Sequence, residues 1–95
     1  MAGSGARVLV TGAGGSIGSE LSRQVARLSP AALVLLDRYE NGSLAVANEL
    51  AAAGHTFIAP VIGDVTEVGQ MTRLFAEYWP TLVFHAAAHK HVPLM

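Results

Sequence analysis

Short apolar runs alternate with amphipathic stretches along the whole chain. Arg7 to Thr11 (RVLVT), Ala32 to Asp37 (ALVLLD), Thr56 to Asp64 (TFIAPVIGD) and Thr81 to Ala86 (TLVFHA) are aliphatic or β-branched runs bounded by Gly, Pro or Asp. They read as strands, and their near-continuous hydrophobicity is that of strands covered on both faces. Between them, apolar positions recur at helical spacing. Ile17, Leu21, Val25 and Leu28 fall on one helical face. Leu44, Ala47 and Leu50 or Ala51 form a second stripe, which Gly54 closes as the residue just past the helix. Val68, Met71, Phe75 and Tyr78 form a third, with Thr66 as its N-cap and Pro80 as its stop.

The order is therefore β-α-β-α-β-α-β. Right-handed crossovers turn it into an α/β, Rossmann-type parallel sheet with helices on both faces. The expected strand order is 3-2-1-4, about half of a doubly wound nucleotide-binding fold. Its fourth strand would be an apolar edge, and such edges invite pairing with another chain. Self-association through that strand is expected, and the abrupt end reads as a truncation. No internal repeat or low-complexity segment is present.

Composition narrows the function classes. At 95 residues the chain is one domain at most, and with 52% hydrophobic and 14% charged residues it is not a disordered segment. The formal net charge is −1 and the charges are scattered, so no basic stripe marks a nucleic-acid binder. Trp79 and Tyr78 before Pro80 invite comparison with a base-stacking platform, but they are expected instead to close the apolar face of the third helix. There are no cysteines, hence no disulfides and no thiolate zinc site, which fits a reducing, cytoplasmic compartment. The apolar runs are too short for a membrane span, and "MAGSGA" lacks the features of a signal peptide. Residues 1–6 read as an added expression leader and residues 7–95 as the domain.

The chemistry concentrates at one loop. "LVTGAGGSIGSEL" joins the first strand to the first helix and fits T-G-x-x-G-x-x-G through Gly12, Gly15 and Gly18. Gly12 permits the tight turn out of the strand, Gly14 and Gly15 let bare backbone approach a pyrophosphate, and Gly18 lets the helix pack closely. The amides of Ser16 and Ile17 then lie at a helix N-terminus, which favours an anion. A tight strand-helix turn wants glycine for purely structural reasons, so the loop needs a companion. Asp37 supplies it, ending the second strand 19 residues after Gly18, where a carboxylate can accept from the adenosine ribose hydroxyls. Its bland alternative is a strand-end turn residue. Asp37 favours NAD, since it would repel a 2′-phosphate, while Arg38 leaves NADP open. In "GDVT", Asp64 can accept from the adenine amino group or simply cap the following helix.

The chain closes on "HAAAHKHVPLM", with three histidines and a lysine in seven residues. No carboxylate or thiolate stands nearby in sequence to complete a metal shell, so no native metal site is expected. The plainer reading makes His85 a hydrogen-bonded core residue and leaves His89 and His91 in a loop.

With "TGAGGSIGSEL", "LLDRYE", "GDVT" and "VFHAAAHKHVPLM" in register, the chain resembles the extended short-chain dehydrogenase/reductases. Within them it is similar to the CapD-type polysaccharide-biosynthesis proteins, the UDP-N-acetylglucosamine 4,6-dehydratases. The resemblance runs from about Arg7 to Met95, and the closing segment is its narrowest part. It implies a cofactor-binding loop from Thr11 to Gly18, a ribose position at Asp37 and Arg38, and adenine contacts at Asp64 and Val65. It implies that Ala86, Ala87 and Ala88 line the nicotinamide half, with Lys90 near cofactor and sugar nucleotide and His91 facing substrate. The family's proton-transfer residues, a Thr-Asp-Lys run and a downstream Tyr- or Met-x-x-x-Lys pair, are not among these 95 residues. No catalytic residue is therefore assigned, and the chain is expected to bind dinucleotide without turning over a UDP-sugar. Longer relatives also carry an N-terminal membrane region. Two other readings stay open: a nucleotide-sugar epimerase of the same superfamily, and a standalone, non-catalytic NAD(P)-binding module.

Overall fold

A computed structural model of the chain describes residues 5–86. Four strands, β1 (Arg7–Thr11), β2 (Ala32–Asp37), β3 (Ile58–Ile62) and β4 (Leu82–His85), alternate with three helices, α1 (Ser16–Ala26), α2 (Glu40–Ala52) and α3 (Val68–Tyr78). All strand pairs are parallel and the spatial order is β3-β2-β1-β4, as the sequence predicts. The expected runs of the first two strands match residue for residue, while β3 and β4 are shorter than their apolar runs.

The strand period of two divides the core. Val8, Val10, Leu33 and Leu35 point to the face covered by α1 and α2, where they meet Val25, Ala26, Val46, Ala47 and Leu50. Leu9, Val34 and Leu36 point to the other face, against Leu74, Met71, Phe75 and Tyr78 of α3. Both central strands are thus buried on both sides, which explains their unbroken hydrophobicity. Burying a side chain such as Leu9 or Leu35, each fully inaccessible, stabilises the fold by about 1.5–3 kcal/mol. β3 is an edge and is half-exposed, and it carries Pro60 in register with Leu35.

The helix ends show which local signals hold. Gly54 stands just past α2 at φ +102, with its amide on the Ala51 carbonyl (3.0 Å) and the His55 amide on the Leu50 carbonyl (3.1 Å). This pair of bonds is the Schellman arrangement expected of that glycine. Thr66, by contrast, is not the N-cap of α3. Glu67 takes that place, and the Thr66 hydroxyl donates to Asp64 Oδ1 at 2.8 Å.

Three helix faces differ from the expected stripes. On α1 the buried positions are Gly18, Ser22, Val25 and Ala26, whereas Ile17 and Leu28 are exposed. The helix lies so close to its neighbours that small residues form its inner stripe, and the Ser22 hydroxyl is satisfied by the Gly18 carbonyl at 2.7 Å. Leu44 of α2 and Val68 of α3 likewise face outward. Trp79 does not close the face of α3. It is 77% exposed and adopts a left-handed conformation (φ 52) as the chain turns toward Pro80. Among the described residues, no helix is long and apolar enough to cross a membrane.

Candidate cofactor-binding site

In a parallel sheet wound in both directions, the loops leaving the carboxyl ends of the strands surround a crevice where the strand order reverses. Here that point lies between β1 and β4, beside the loop from β1 to α1. The carboxyl ends of β1, β2, β3 and β4 together frame a cavity of about 660 Å³.

The glycine loop forms one wall. Gly12 turns the chain at φ +67, a conformation that disfavours any side chain. Gly15 is the N-cap of α1, with no side-chain cap and no acidic residue in the first turn, so the positive end of the helix stands unopposed. A Cβ on Gly15 would meet nothing nearer than the Gly12 carbonyl at 3.5 Å, leaving bare backbone toward the cavity. At Gly18 a Cβ would lie 2.0 Å from the Gly12 oxygen, so helix and loop can touch only without a side chain there. Ile17 is exposed because it lines the cavity rather than the core.

Gly14 is required for a reason other than close approach to a ligand. A Cβ there would lie 2.3 Å from Gly42 Cα and 2.8 Å from Asp37 Oδ2. The residue is pressed against the start of α2, and its amide donates to Asp37 Oδ2 at 2.8 Å.

Asp37 is buried at the end of β2, where its Oδ1 also accepts from the Tyr39 amide at 3.0 Å. An ionised carboxylate offers about four lone-pair sites, so two remain for ribose hydroxyls. Arg38 is exposed, 3.8 Å from Asp64 Oδ2, with its guanidinium 5.9 Å from the centre of the Tyr39 ring. Asp64 accepts at Oδ1 from the Thr66 amide (2.9 Å) and hydroxyl. The Thr66 amide first, then its hydroxyl, with a smaller contribution from Arg38, hold the Asp64 carboxyl below its ordinary value of 3.8. Asp64 therefore stays ionised and fixed at the rim, where it organises its own loop through Thr66; it does not cap α3, whose N-cap is Glu67 without a side-chain bond.

The structure brings Gly12, Gly14, Gly15, Ser16, Ile17, Gly18, Asp37, Arg38, Asp64, Val65 and Ala86 to this one cavity. Thr11 is buried beneath it, its hydroxyl 2.6 Å from His85 Nδ1, so that β1 and β4 are joined under the crevice. Ala87, Ala88, Lys90 and His91 lie outside the described residues, as does His89. Sequence reasoning missed Tyr39, Gly42 and Gly63 as lining residues. Gly63 stood in the quoted "GDVT" context, but only tertiary packing marks Gly42. Among the described residues, no group of three or more His, Asp or Glu side chains is placed to hold a metal ion.

The sequence profile of the polysaccharide biosynthesis proteins matches residues 8–95. The chain belongs to that family. It is 47% identical over 90 residues to the capsular polysaccharide biosynthesis protein CapD of Staphylococcus aureus, covering 93% of this chain and 15% of that protein. The dTDP-glucose 4,6-dehydratase of Neisseria meningitidis is 34% identical over 87 residues, 90% of this chain and 24% of that enzyme. Among solved structures, the UDP-glucose-4-epimerase of Stenotrophomonas maltophila, with NAD and formylated UDP-arabinopyranose bound, superposes with a TM-score of 0.75. It is 29% identical and covers 92% of this chain and 26% of the epimerase. The chain thus spans about a quarter or less of these relatives. The resemblance to polysaccharide biosynthesis proteins of the extended short-chain dehydrogenase/reductase type stands.

Proposed function

We propose that this polysaccharide biosynthesis protein binds NAD in the 660 Å³ crevice and forms the cofactor-binding portion of a nucleotide-sugar 4,6-dehydratase. One observation carries the binding: the uncapped N-terminus of α1 and the Asp37 carboxylate face the same cavity. The first suits a diphosphate and the second a ribose diol. The amides at the start of α1 would hold the diphosphate, Asp37 the ribose hydroxyls, and Val65 and Asp64 the adenine edge. His85 and Ala86 would lie toward the nicotinamide. When bound, the nicotinamide supplies hydride transfer to and from the sugar. The chain's own part is to orient the cofactor and hold the Asp37 carboxylate, fixed by the Gly14 and Tyr39 amides, beside the diol.

Asp37 favours NAD over its 2′-phosphorylated form, because a phosphate there would meet a buried carboxylate. The NAD bound in the Stenotrophomonas epimerase supports the same choice. The dehydratase reading rests on the 34% identity to dTDP-glucose 4,6-dehydratase and on the similarity to CapD. The epimerase structure favours a second reading, C4 epimerisation of a sugar nucleotide on the same cofactor site.

Isothermal titration with NAD and NADP tests the binding: NAD should bind the more tightly, and equal affinities would remove Asp37 from the ribose. Water loss from UDP-N-acetylglucosamine, followed with the full-length protein by mass spectrometry, tests the reaction. A product of unchanged mass with inverted C4 would transfer the assignment to the epimerase reading.

A further inference from the structure

Three segments meet at one point beside the crevice: the loop after β1, the end of β2 and the first turn of α2. The Ala13 amide donates to the Leu36 carbonyl at 3.1 Å, and the Gly14 amide next to it donates to Asp37 Oδ2 at 2.8 Å. The loop is thereby stitched to β2 just before the amides of Ser16 and Ile17, the Gly15 amide being bonded to the Gly12 carbonyl at 3.1 Å. On its other side Gly14 abuts Gly42, whose Cα occupies the space a Gly14 side chain would need. A Cβ on Gly42 would itself lie 2.9 Å from the Asp37 carboxylate. Asp37 is thus enclosed by two glycines and bonded to two amides, Gly14 and Tyr39.

From this we infer that Asp37 and Gly42 are positioning residues for the diphosphate as well as neighbours of the ribose. Asp37 sets where the anion-binding amides stand through Gly14, and Gly42 leaves the Asp37 carboxylate the room to reach that amide. The inference rests on the NAD-binding reading of the crevice. It assigns Gly42 a role in cofactor binding, and it predicts that exchanging Asp37 to admit a 2′-phosphate costs the diphosphate site too.

The test compares ADP with 2′,3′-dideoxy-ADP, which keeps the diphosphate and lacks the ribose diol, by calorimetry on the full chain. Asp37→Ala should weaken dideoxy-ADP by roughly ten- to a hundredfold, the scale of a hydrogen bond to a charged group, and should erase the preference for ADP. Gly42→Ala, whose Cβ would stand 2.9 Å from the Asp37 carboxylate, should displace that carboxylate, weaken both ligands and lower the preference for ADP; dideoxy-ADP bound as by the wild type would remove Gly42 from the site. If dideoxy-ADP binds Asp37→Ala as it binds the wild type, the positioning role is overturned and the ribose role survives. If the wild type binds neither ligand, the NAD-binding reading itself fails, and this inference falls with it. Should Asp37→Ala not fold, Gly42→Ala and amide exchange in the ligand-free wild type decide. A Gly14 amide slowed by about a hundredfold supports the inference, and one exchanging as in an open chain overturns it.

Discussion

Replacing Gly18 by alanine adds one methyl where α1 crosses the loop. The new Cβ would stand 2.0 Å from the Gly12 carbonyl oxygen, 2.8 Å from its carbon and 2.9 Å from Ala13 Cα, all of them backbone atoms. To move from 2.0 Å to the 3.4 Å of ordinary contact, helix and loop must separate by about 1.4 Å. Overpacking of this kind costs about 1–3 kcal/mol, and alanine returns about 1 kcal/mol through its better helix propensity. With three backbone atoms inside 3 Å the cost sits at the upper end of that range, and the balance is a loss of about 2 kcal/mol. For a domain of this size that lowers Tm by about 8–16 °C. Because the separation falls between Gly12 and the first turn of α1, NAD affinity should drop further than stability alone accounts for. Far-UV circular dichroism melts of Gly18→Ala, paired with NAD titrations well below Tm, measure both. A variant that melts at or above the wild-type temperature and binds NAD unchanged would refute the close packing of helix against loop.

Gly15→Ala should behave oppositely: its Cβ meets nothing nearer than 3.5 Å, and φ −74 suits alanine, so Tm should hold within a few degrees while NAD affinity falls. A Tm loss as large as that of Gly18→Ala would contradict this. The Asp64 carboxyl is held below 3.8, so its bonds to Thr66 contribute stability that is present above that pH and lost as pH falls through the lower folded-state value. Asp64→Asn should therefore lower the urea midpoint at pH 7 and lower it less at pH 3; an equal loss at both would count against the charge. Trp79 is exposed in a left-handed conformation, so Trp79→Gly should raise stability by about 0.5–1 kcal/mol, read as a higher urea midpoint. A lower midpoint would show that the indole packs against something that outweighs the strain.

The strand runs and their order were legible because the period-two burial of β1 and β2 on both faces leaves long apolar runs that only a covered parallel sheet explains. The helix faces were less so. Periodicity weighs large apolar side chains, and α1 buries Gly18, Ser22 and Ala26 beside Val25; at Gly18 the loop leaves no room for any side chain. The loop, Asp37 and Asp64 were readable from spacing alone. The reason for Gly14 was not: it depends on Gly42, and no local pattern announces that two glycines will touch. Trp79 illustrates a related blindness, since a residue in the left-handed region before Pro80 is carried away from the stripe that its spacing suggests.

Pro60 gives the sheet a direction of growth. On β3, the Phe57 carbonyl and the Gly63 amide both bond to β2, so the intervening residues of opposite parity, Pro60 among them, turn their backbone outward. Proline has no N–H to offer there, and an incoming strand would lose the central rung of its ladder. β4 carries no proline within Leu82–His85. Any strand that lengthens this sheet, from the same polypeptide or another, is therefore steered to the side of β4. Fusions and split-protein designs that exploit this domain should leave that margin free and attach their cargo beside β3.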